Sequence, residues 1–122
     1  MEFDFETLPK EVRYKLLCAF VAPRPIALAT TVSVDGVGNA APFSFFNVFG
    51  DEPPIVILGV QNRPDGTPKD TLANIRDTGE FVVHLVDQPM ARQMVDCAID
   101  FAPGEDETAK TGLRVVPSLK VK

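Results

Sequence analysis

What this chain can fold into is constrained most by an extended unit that starts behind a double proline. Pro23–Arg24–Pro25 forbids helix and favours extended chain. Residues Ile26–Val34 then alternate as a strand does, with Ile26, Leu28, Val32 and Val34 on one phase. Ala27, Ala29, Thr31 and Ser33 share the other. The large phase calls for a core, whereas the small phase leaves room for a ligand or another subunit to come close to the sheet. Asp35–Gly36 is a turn signal, so a second strand should return antiparallel through Val37–Phe45. Pro42 lies inside that strand and offers no donor to a ladder, which predicts an edge position or a bulge.

The flanking segments are short. Leu8, Val12, Leu16 and Leu17 follow helical spacing after Thr7 and predict an amphipathic helix that ends before Pro23. Asp51–Pro54 reads as a turn, Ile55–Val60 as a buried strand and Gln61–Pro68 as a surface loop. A second helix should follow, with Thr67 as N-cap, Pro68 as first residue, Asp70 three positions after the cap, and Gly79 as its end. Phe81–Val86 is apolar on both phases apart from His84 and predicts a central strand. A short helix over Met90–Ala98, an acidic loop over Pro103–Glu107 and a weak final strand in Leu113–Lys122 complete the reading. Hairpins dominate and one helix joins strands, so the expected class is a mainly β, α+β domain with an antiparallel sheet or barrel.

Composition narrows the function. A chain of 122 residues, 45% hydrophobic and 24% charged, has single-domain length and an ordinary globular balance. A net charge of −5 without a Lys/Arg run argues against nucleic acid as a partner, although a small anion needs only one local group of donors. Apolar runs are too short to span a membrane, and the acidic start (MEFDFETL) lacks a signal-peptide layout, so the expected location is cytoplasmic. Cys18 and Cys97 form no CxxC pair and read as two reduced thiols. His84 is the single histidine, so no His-based metal site is expected.

No phosphate-binding glycine loop and no Ser–His–Asp order stands out, and the acidic pairs Asp51–Glu52 and Asp106–Glu107 read as solvated loop faces. Three features carry chemical interest. Asn39–Asn47 mixes small residues, a proline, three phenylalanines and short polar side chains, which suits either a planar heteroaromatic ligand or a Phe-rich core strand. The helix start at Thr67–Thr71 offers free N–H groups with Lys69 and Thr71, with the charge of Asp70 opposing an anion unless it is turned inward as a cap. Arg24, fixed between prolines, suits a phosphate, a neighbouring subunit's carboxylate or an ordinary ion pair.

Taken in order, five stretches resemble the flavin reductase-like family of FMN-binding split barrels: PRPIALATT (Pro23–Thr31), GNAAPFSFFN (Gly38–Asn47), PPIV (Pro53–Val56), KDTLANI (Lys69–Ile75) and FVVHL (Phe81–Leu85). The tail TGLRVVPSLKVK is similar to that family's continuation. The resemblance implies a homodimeric antiparallel split β-barrel holding FMN, or FAD in its place, near the subunit interface. It implies that Ser44, Phe45, Phe46 and Asn47 run beside the isoalloxazine ring, that Thr30 and Thr31 help hold the flavin, and that Lys69, Asp70 and Thr71 lie near its phosphate end. It also implies hydride transfer from NAD(P)H to flavin, with a monooxygenase as recipient. The alternatives are a flavin-binding electron carrier that oxidises no nicotinamide and a scaffold without cofactor. Relatives commonly carry asparagine at the place of His84, which reads here as a hydrogen-bonded structural residue ahead of a flavin contact. They also continue for several strands beyond a single domain of residues 1–122, so the expectation is a domain lacking its C-terminal part.

Overall fold

The protein is described by a computed structural model over residues 2–121. In chain order it comprises α1 (Lys10–Phe20), β1 (Ala27–Val32), β2 (Gly38–Phe43), β3 (Phe46–Asp51), β4 (Pro54–Leu58), α2 (Asp70–Thr78), β5 (Val82–His84), α3 (Ala91–Asp96) and α4 (Glu107–Lys110). The strands form two antiparallel sheets, β2-β1-β5 and β3-β4. The expected α+β, antiparallel character is therefore present, without a closed barrel among the described residues.

The β1–β2 hairpin forms as its sequence predicts. Ser33 N–H donates to Val37 O at 2.9 Å, and Gly36 takes a φ of 87°, a left-handed conformation that glycine adopts without a Cβ penalty. The register pairs Leu28 with Pro42 and Thr30 with Ala40, which places β2 at the sheet edge as Pro42 requires. That edge is closed along its length. Ala40 N–H donates to Glu107 Oε2 at 3.0 Å, Asp106 lies against Gly38, and Pro42 has no N–H to offer.

Both phases of β1 are buried in part. On the small phase Ala27 and Ala29 are fully buried and Thr31 nearly so, with α2 rather than a ligand packed against it. Only alanine-sized residues let a helix approach a strand this closely. On the other phase Leu28 is buried with Ala40 and Cys97, against Val86, Met90, Met94 and Leu113, whereas Ile26 and Val34 are exposed.

Several other boundaries move. Phe46–Asp51 is a strand of its own, paired with β4 around Glu52 and Pro53, and Ile55–Ile57 are exposed rather than buried because nothing among the described residues covers this hairpin. The segment expected as a central strand shortens to β5 at the far edge of the sheet. α1 buries none of its residues, so its apolar stripe meets no core. Thr67 is not the cap of α2: its N–H and hydroxyl both bond Asp65 Oδ1, and Lys69 occupies the N-cap position. Residues 113–121 form no strand, and Lys122 lies outside the described residues.

Arg24 holds the end of α1 within this chain. Its Nη1 donates to Cys18 O and Val21 O, both at 2.8 Å, which satisfies carbonyls left open at the end of α1. The same guanidinium lies 5.8 Å from the centre of the Phe45 ring, and Tyr14 meets that ring edge-on at 5.7 Å. The end of α1 is thereby tied to the turn between β2 and β3.

Candidate functional site

The β2 sequence Gly38–Phe43 and the first turn of α2 are joined by a buried polar network. Asn39 Nδ2 donates to Thr71 Oγ1 at 2.9 Å and to Thr31 Oγ1 at 3.2 Å, and Asn74 Nδ2 donates to Thr31 Oγ1 at 3.0 Å. All four residues are at most 8% exposed. Buried amides and hydroxyls are costly unless paired, so this network fixes where α2 begins relative to the sheet.

A cavity of about 100 Å³ opens beside that junction, lined by Asn39 and Ala41–Phe43 from the sheet, Arg63, Lys69, Asp70 and Thr71, the segment Cys97–Phe101, and Glu107. No side chain caps α2, so its leading backbone N–H groups keep their donor capacity, with Asp70 the acidic residue in the first turn. Arg63 donates from Nη1 to Pro68 O and pairs through Nη2 with Asp70 Oδ2 at 3.1 Å. The Asp70 charge is thus compensated by Arg63 rather than spent on a cap. Lys69 Nζ reaches the exposed Asp100 at 3.5 Å, a weak pair that another anion could displace.

Glu107 overturns its reading as a solvated loop acid. It starts α4, is 7% exposed, and its carboxyl is pushed above the usual carboxylate range by burial, an effect opposed by the Ala40 N–H bond. The sign follows from the raised value: its contribution to stability is present in acid and is lost as pH rises through that value. Asp106 behaves oppositely. Hydrogen bonds from the Thr108 hydroxyl and the Ala109 N–H hold it below the usual range, so its contribution is lost as pH falls. Burial pushes the Cys97 thiol up, which leaves it protonated and unreactive at neutral pH.

The residues singled out from the sequence separate into four places. Lys69, Asp70 and Thr71 line the cavity together. Thr31 sits beneath it, is linked to it through Asn39, and also borders a second, open cleft. Thr30 points to the opposite face of the sheet, where its hydroxyl and His84 Nε2 are 2.8 Å apart, consistent with a structural histidine. Ser44–Asn47 follow Phe43 beyond the cavity rim; Phe45 is held by Arg24 and Tyr14, and Asn47 is exposed with its Oδ1 accepting from Val48 N–H at 2.8 Å. Arg63 and Glu107 are the cavity residues that sequence reasoning missed. Nothing in a Pro/Gly-rich loop singles out Arg63, and a buried glutamate within an acidic run looks like its exposed neighbours.

The face carrying Thr30 and His84 looks into an open cleft of about 600 Å³, walled by Leu28, Val32, Val82 and the exposed segment from Leu113 to Val121. Among the described residues no group of three or more His, Cys, Asp or Glu could hold a metal, and no helix is long and apolar enough to cross a membrane.

Comparison with known proteins bears on this geometry. A family model described as the flavin reductase like domain matches residues 20–122. An uncharacterised protein of Halalkalibacterium halodurans is 47% identical over 118 residues, covering 97% of this chain and 56% of the relative. Nitrilotriacetate monooxygenase component B from Bacillus cereus superposes with a TM-score of 0.90 at 33% identity, over 99% of this chain and 59% of that one. Pseudomonas fluorescens 2-nitrobenzoate 2-nitroreductase gives 0.84 at 36%, over 99% and 57%. The chain thus spans somewhat more than half the length of each of these three proteins.

Proposed function

The chain belongs to the flavin reductase-like family, and from that premise we propose that it binds FMN beside β2 and α2 and takes part in hydride transfer from NAD(P)H to the flavin. The observation that carries this reading is the uncapped start of α2 facing a cavity that also holds Arg63 and Lys69. Backbone N–H groups, a helix dipole and two cations in one recess are the donor set a phosphate requires. The recess is large enough for a phosphate group.

Lys69, Thr71 and the leading amides of α2 would hold the phosphate, with Arg63 keeping Asp70 neutralised beside it. Asn39 and Thr31 position Thr71. Ser44 and the amides of residues 44–47 would bond the ring along the β2–β3 turn, which Arg24 and Tyr14 steady through Phe45. A bound flavin supplies the hydride-accepting chemistry, and the protein's part is to orient the rings and tune the flavin by hydrogen bonds. That division of labour fits a site without a general base or a nucleophile. A second copy of this chain, the homodimer implied by resemblance, is favoured by the uncovered apolar residues Val48, Phe49, Ile55, Val56 and Ile57 on the β3–β4 hairpin. A monooxygenase as recipient of the reduced flavin is proposed from the resemblance and from the role named for the Bacillus cereus protein.

The purified protein is expected to quench FMN fluorescence on titration and to oxidise NADH or NADPH faster when FMN is added. Binding without oxidation above the free-flavin background would leave an electron carrier. Absence of binding would remove the flavin reading altogether. Converting Ser44 and Asn47 together to alanine is expected to weaken FMN binding by roughly tenfold, the effect of losing one or two net hydrogen bonds. Unchanged affinity in that variant would move the ring away from the β2–β3 turn.

A further inference from the structure

Glu107 is the one buried acid in the cavity wall, and the groups around it make its charge depend on what the cavity holds. Ala40 N–H from β2 donates to its Oε2 at 3.0 Å. Asp70 of α2 disfavours its negative charge; Lys69 at the same helix start and Arg63 from the preceding loop favour it. Cys97 at the end of α3 carries a protonated thiol, Asp100 beyond it is exposed and paired with Lys69, and Asp106 caps α4 on the side facing Gly38. With no other anion present, Arg63 and Lys69 therefore stand among three carboxylates, Asp70, Asp100 and Glu107. A phosphate held by Lys69 draws that cation from Glu107 while adding up to two negative charges of its own, with Arg63 still paired to Asp70.

We propose that Glu107 takes up one proton from solvent when a phosphate-bearing ligand enters this cavity, so that binding and protonation are a single linked event. The ionised carboxylate becomes a neutral carboxylic acid, Oε2 continues to accept from Ala40 N–H, and the negative charge of the occupied recess falls by one unit. Protonation spares the protein a buried carboxylate facing a phosphate dianion across the recess. Proton uptake makes affinity for phosphate-bearing ligands fall as pH rises, whereas a ligand without phosphate shows no such dependence. The inference rests on the reading of this cavity as the phosphate end of the FMN site.

The test is isothermal titration of the protein with FMN in buffers of different ionisation enthalpy, between about pH 7 and pH 8.5, where the ligand phosphate is already dianionic. The expected result is uptake of close to one proton per FMN and a dissociation constant rising by up to about tenfold per pH unit. Glu107→Gln keeps the side-chain length and the acceptor for Ala40 N–H. It is expected to abolish the uptake and to bind FMN about tenfold more tightly than the unaltered protein near pH 8. Asp100→Asn, at an exposed carboxylate, should retain the uptake, and riboflavin should bind with none. FMN binding by the unaltered protein without proton uptake, or uptake undiminished in Glu107→Gln, overturns this inference alone. Failure of FMN to bind either protein overturns the flavin reading and this inference with it.

Discussion

Replacing Asn39 with alanine is expected to cost the fold about 2–4 kcal/mol and to lower the thermal midpoint by roughly 10 °C. Asn39 bridges two buried hydroxyls, on β1 and on α2, through its amide at 3.2 Å and 2.9 Å. Its removal leaves Thr71, which is 1% exposed, without its amide partner in a place water reaches poorly. Thr31 keeps its bond from Asn74, so the loss should concentrate at the start of α2. Thermal unfolding followed by far-ultraviolet circular dichroism checks the value. Asn47→Ala is the comparison, because that exposed side chain bonds only its neighbour Val48, and its cost should stay within about 0.5 kcal/mol. Equal midpoints for the two variants would show that the bridge does not hold α2 to the sheet.

Arg63→Ala should have the largest effect on ligand binding, weakening FMN by roughly 30- to 100-fold while changing riboflavin affinity little. Two effects combine. Arg63 pins the loop before α2 through Pro68 O, and its pairing with Asp70 removes a negative charge from the phosphate's path. Without it Asp70 faces the recess uncompensated. Arg63→Lys should recover part of the affinity, since the charge returns but the two-pronged donor geometry does not. Fluorescence quenching by both flavins reads the difference, and an equal loss for FMN and riboflavin would place the phosphate elsewhere.

What the sequence made legible was whatever depends on short-range rules. The β1–β2 turn, the edge position of Pro42 and the helix end at Gly79 follow from backbone preferences of two or three residues, and all three are present. What covers the small phase of β1 was not legible. Alternation reveals two faces, but small residues suit a helix packed close as well as a ligand, and only the position of α2 decides. The hairpin β3–β4 misled for a related reason, since an apolar run says that a strand forms and not that anything covers it. In the site, Lys69–Thr71 were found because a helix start carries a signature, whereas Arg63 and Glu107 reach the same recess from 6 and 38 residues away. Glu107 was misread because its burial is created by Ala40, 67 positions earlier in the chain.

The closed outer edge of β2 has a directional consequence. At residues 38, 40 and 42 the strand presents an acid-guarded glycine, an amide already bonded to a carboxylate, and a proline, so no incoming strand finds a donor row there. The other border of the sheet is β5, three residues long and guarded by nothing comparable. Any polypeptide that lengthens this sheet must therefore join past His84 and not past Ala40. The sheet has one permitted direction of growth, and it leads away from the recess beside β2.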